Sequence, residues 1–162
     1  MSDLLVRRRP IFVPAVERFV AEEAFTKANG IDKVSDTFKK AMFGKVEESI
    51  AADTLGLYEL SRYSHNIPIA AALGVHDKGD VALAHVFHLL KAQMGGVSGP
   101  LNTSGWATVA FVVGADNEFW VVNIYPLSPS CGGLEAFARP LGNRQGWAAG
   151  DFFLGSDRPL FS

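Results

Sequence analysis

The chain has 162 residues, of which 48% are hydrophobic and 20% charged, with a formal net charge of −2. That size supports one domain, residues 1–162, with its own core, and that composition excludes a disordered or low-complexity chain. The near-neutral balance argues against a general nucleic-acid binder. The single cysteine, Cys131, excludes an internal disulfide and a cysteine-rich zinc framework.

Arg7, Arg8 and Arg9 imitate the start of an export signal, but Pro14 and Glu17 interrupt the apolar residues that follow. With one cysteine in the chain, the expected setting is reducing and cytoplasmic. Residues 14–28 are predicted as a first amphipathic helix. Val16, Phe19, Val20, Ala24 and Phe25 recur at helical spacing, and Asn29-Gly30 makes a stop. Ser35 is the expected cap of a second helix, whose apolar face is Phe38, Met42, Phe43, Val46 and Ile50. Asp53-Thr54 is expected to cap a third helical segment bearing Leu55, Leu57, Tyr58 and Leu60. A short apolar stretch, 67–73, lies between Pro68 near its start and Gly74, and its type is open.

Asp80 is the expected cap of a fourth helix running to about Met94, closed by Gly95-Gly96. A glycine- and proline-bearing loop follows. It reads as too polar for a membrane span. Residues 106–113 and 118–125, joined by the Gly114–Asn117 turn, read as a β-hairpin. Residues 134–139 and 147–154 are candidate further strands.

Charge divides the chain. Residues 1–80 hold 11 basic and 12 acidic side chains, and residues 81–162 hold 4 and 5. Solvated helices are therefore expected first and a buried sheet second. The expected fold is α+β: N-terminal amphipathic helices packed on a C-terminal antiparallel sheet of 3–4 strands centred on the hairpin 106–125. No GxGxxG or phosphate-cradling loop is present.

Few residues suggest chemistry. His85 and His88 stand three apart on the fourth helix, where two imidazoles can share a metal, with His76, Asp77 or Asp80 as further ligands. Ordinary surface or packed histidines are the simpler reading. Cys131 precedes Gly132-Gly133, whose backbone N–H groups suit an oxyanion, so a cysteine nucleophile with a histidine base is a candidate. A lone cysteine is more often a small buried hydrophobe. Asn123, with Tyr125 nearby, places an amide on an apolar strand face, where it contacts either a ligand or a loop. Arg139, Arg144 and Trp147 make an arginine–aromatic cluster suited to an anion or a partner protein, or a plain strand end.

These features complete no known motif and name no cofactor. The expected function is a small soluble binding or interaction protein of accessory, adaptor or inhibitor type. It would act through a protein partner or self-association, with no membrane and no nucleic acid. The alternative is a small hydrolase or transferase using Cys131 with a histidine, or a His85/His88 metal site.

Overall fold

The computed structural model describes residues 3–75, 81–92, 108–126 (backbone alone at 124–126) and 134–157. Its centre is a seven-stranded mixed sheet. In chain order the elements begin with β1 (Leu5–Val13), β2 (Val16–Val20), the short α1 (Ala21–Ala24), β3 (Ile31–Val34) and α2 (Asp36–Met42). Next come β4 (Val46–Ile50), β5 (Asp53–Leu60), β6 (Ser64–His65), α3 (Asn66–Leu73) and α4 (Leu83–Ala92). Last are β7 (Thr108–Val113), β8 (Phe119–Pro126), β9 (Leu134–Pro140), β10 (Gly146–Trp147) and β11 (Phe152–Ser156). The large sheet runs β1-β5-β11-β7-β8-β9-β3, and β2·β4 and β6·β10 form two small ladders. The β11·β7 and β3·β9 pairings are parallel and the others antiparallel.

The expectation of N-terminal helices on a small C-terminal sheet is overturned. The N-terminal half supplies β1, β3 and β5 to the same sheet as the C-terminal strands. Residues 16–20 fit both periods, because Val16, Phe19 and Val20 make a helical stripe yet are also β-branched or aromatic. Pairing with residues 46–50 settles them as a strand. The second helix does begin at Ser35, whose hydroxyl accepts from the Phe38 amide at 3.0 Å, but it ends at Met42 and gives way to β4. Residues 53–60 are a strand because they are buried on both sides. Leu55 and Leu57 enter one core, and Tyr58 and Leu60 the other. A helix would bury only one stripe of that run.

Other expectations hold. The hairpin is in register from Thr108↔Ile124 to Val113↔Phe119. Asp116 locks its turn by accepting from the Glu118 amide at 3.0 Å and from the Trp120 indole at 3.1 Å. The undetermined stretch is α3, with Pro68 in its first turn and Gly74 closing it in the left-handed region at φ 67°.

Alternation along the strands splits the core into two. Ala110, Val112, Trp120, Val122, Ala136 and Ala138 face a layer made by α1, α2, α4 and Phe19. Val109, Phe111, Val121 and Phe153 face α3 and Trp147. Among the described residues no helix is long and apolar enough to cross a membrane.

Candidate functional site

Three places hold polar side chains in unusual settings. The first is a groove on the α4 side. Glu47 projects from β4 into the start of α4, where its carboxylate accepts from the Leu83 amide at 3.1 Å and the Ala84 amide at 2.7 Å. These are donors that a helix start leaves without an internal partner. Lys45 lies 3.3 Å from the same carboxylate and donates to the Val113 carbonyl. His85, 3% exposed, places Nε2 3.0 Å from the Pro14 carbonyl oxygen. A carbonyl only accepts, so Nε2 carries the proton. Glu47, Ser49, Asp53, Val81 and His85 line an open groove of about 560 Å³. Ser49 sits in the left-handed region at φ 52°, an uncommon conformation for a residue with a Cβ.

The structure does not unite the two histidines of α4. His85 is buried against Pro14, and His88 is exposed outside the groove. Among the described residues no three His, Cys, Asp or Glu side chains gather where one metal ion could be held. Cys131, His76, Asp77 and Asp80 lie outside the described residues, as does the side chain of Tyr125.

The second place is the corner where β6 meets β10. Trp147 is buried, and its indole donates to Asn66 Oδ1 at 2.6 Å. Asn66 in turn donates to the Asn143 carbonyl at 3.2 Å. This network ties the start of α3 to residues 143–147. The end of the Tyr63 side chain lies over Gly146, where an added Cβ would displace it. The Tyr63 ring also stands edge-on to His65 at 5.1 Å. Tyr63 is nonetheless 62% exposed and Ile67 63% exposed. Arg144, which follows the Asn143 carbonyl held by Asn66, is exposed too.

The third place is on the α3 side of β8 and β9. Asn123 is 0% exposed, and neither its Oδ1 nor its Nδ2 has a hydrogen-bond partner. Its ladder neighbours are Val109 and Phe137. Arg139 lies one side-chain position along the same face, and its buried Nη1 also lacks a partner. Thus Asn123 and Arg139 fall together, and Arg144 and Trp147 fall together at the corner.

Reading the sequence missed Glu47, Asn66 and Tyr63. Glu47 is separated from the helix it caps by 36 residues, so no local pattern announces it. Three described carboxylates have displaced acidity, and one of them, Asp3, is held below the ordinary aspartate range by its hydrogen bond from Arg62. Asp116 is held below the ordinary aspartate range by the Glu118 amide and then the Trp120 indole. Asp157 is held below it by its hydrogen bond to Arg7 at 2.5 Å.

Comparison with known proteins finds no matching family model, no matching curated relative and no matching solved structure.

Proposed function

We propose that the protein is a non-catalytic interaction domain, of accessory, adaptor or inhibitor type, that docks a partner protein at the β6–β10 corner. One observation carries the reading. A tyrosine and an isoleucine, each more than half exposed, flank the hydrogen-bonded network of Asn66 and Trp147, and Arg144, one residue past the Asn143 carbonyl that Asn66 holds, faces solvent. Aromatic residues and arginine on pre-ordered backbone are what interface hot spots favour. Residues 61–67 and 141–147 contain two arginines and a histidine but no acidic residue. Arg62 is already paired with Asp3 at 2.9 Å, which leaves Arg144 facing outward. The fitting partner therefore presents acidic and apolar side chains together. A cytoplasmic setting belongs to the same reading and rests on the lone cysteine.

The test places a photo-crosslinking residue at position 67 in cells and then remeasures any captured protein in purified form. A true partner binds the native chain and loses about tenfold or more in affinity to Tyr63→Ala or Ile67→Asp. Light scattering on the pure protein separates self-association, which the same substitutions would dissolve. Unchanged affinity in both variants overturns the corner as the docking surface.

The groove beside His85 favours a second reading, a hydrolase or transferase. It carries less weight, because Glu47 is already engaged by the Leu83 and Ala84 amides and His85 by Pro14.

A further inference from the structure

Asn123 and Arg139 have no structural task that accounts for them. A buried amide must find a hydrogen-bond partner or remain a standing cost. Asn123 finds none at either atom, so exchanging its oxygen and nitrogen would change nothing. Its strand neighbours Val109, Val121 and Phe137 carry no side-chain hydrogen-bonding group. Arg139 adds a guanidinium that forms no ion pair among the described residues and has a buried, unpartnered Nη1. The two positions are diagonal neighbours on one face, because Asn123 is opposite Phe137 and Arg139 opposite Val121. Diagonal positions lie roughly 7–8 Å apart, within reach of an arginine side chain.

We propose that Asn123 and Arg139 form a binding site for a small carboxylate bearing a hydroxyl or amino group beside the acid. The carboxylate accepts from Arg139 Nη1 and Asn123 Nδ2, and the hydroxyl or amino group donates to Asn123 Oδ1. The combination follows from the inventory of unused atoms, which is two kinds of donor and one acceptor. Val109 and Val121 allow a short apolar body and no further polar group. Phe137, the ladder partner of Asn123, also lines an open groove of about 440 Å³ at the β9–β3 edge, whose lining includes neither Asn123 nor Arg139. The site is separate from the β6–β10 corner and does not depend on it.

Three probes of similar size test the assignment: L-lactate, propionate without the hydroxyl, and propan-2-ol without the carboxylate. The readout is the side-chain amide signal of Asn123 in nitrogen-15 spectra. Lactate should move it saturably, propionate about tenfold more weakly for the loss of one hydrogen bond, and propan-2-ol not at all. Asn123→Leu should melt about 2–4 °C higher without ligand, because an orphaned amide is removed, and should lose all stabilisation by lactate. Arg139→Gln leaves the amide in place and should weaken lactate binding at least tenfold. An Asn123 signal unmoved by all three probes overturns the proposal. So does a crystal grown with lactate in which water alone bridges Asn123 and Arg139.

Discussion

On the α4 side of the sheet, Phe25 packs against Phe38 at 4.7 Å, Phe87 at 5.4 Å and Phe19 at 6.3 Å between ring centroids. Glu47 and His85, which enter this face, are each engaged in hydrogen bonds. On the α3 side the same strands carry Asn123 and Arg139 with unused atoms, and one exposed corner carries Tyr63 and Ile67. Sheets covered on both faces need apolar residues on both. Among the described residues, buried side-chain atoms without a partner lie on the α3 side, the side on which both proposed binding surfaces lie.

The comparison is broken most severely from the α4 side. Phe25→Ala should cost about 3–5 kcal/mol, through lost burial and an uncollapsed cavity, as read by urea unfolding. A much smaller cost would show that the phenylalanine cluster is not the anchor of this face. Glu47→Ala strands the Leu83 and Ala84 amides and leaves the Lys45 ammonium without its carboxylate. It should cost about 2–4 kcal/mol and lower the melting temperature, with Glu47→Gln recovering part of the loss.

On the other face, Trp147→Phe keeps most of the packing but leaves the buried Asn66 Oδ1 without its donor. A loss of about 1–2 kcal/mol is expected, together with weaker docking at the corner, since Asn66 orders both segments that form it. Equal affinity in this variant would mean that the network does not matter to recognition.

The smallest effect is acidic. Asp116 and Asp157 have folded pKa values below their unfolded value of about 3.9, so their contribution is full above that value and lost as pH falls through the depressed folded values. Melting temperature should be flat from neutral pH to about 5 and decline below about 4, with a shallower decline in Asp116→Asn and Asp157→Asn. Protonation of Asp116 loosens Trp120 on the α4 side, whereas Trp147 is held by a neutral amide. In a Trp106→Phe background, Trp120→Phe should therefore remove the acid-dependent part of the tryptophan fluorescence, and the signal of Trp147 should stay constant. Both surface carboxylates are solvated, so added salt reduces the Asp157 contribution by screening its pair with Arg7.

Where local chemistry and burial agree, the chain announced its structure. The hairpin through 114–117, the Ser35 cap, the body of α4 and the Gly74 stop were all legible, because each depends on a few neighbouring residues. Residues 16–20 and 53–60 were not, because their apolar residues satisfy a helical stripe as well as a strand. Site legibility followed the same line. Asn123 stood out as an amide among apolar strand residues, and Arg139 as an arginine near an aromatic. Their placement side by side depends on the β8·β9 register, which no local pattern encodes.

The amino-acid sequence by itself determined a single apolar-rich chain with one strong hairpin, a helix capped at Ser35 and one cysteine, because composition, turn residues and caps act over a few positions. Tertiary structure alone decided that β1, β3 and β5 join the C-terminal strands. It also brought Glu47 to a helix 36 residues away and left Asn123 beside Arg139. Strand pairing sets these outcomes, since a ladder fixes which distant side chains share a face while the local sequence fixes only which residues alternate.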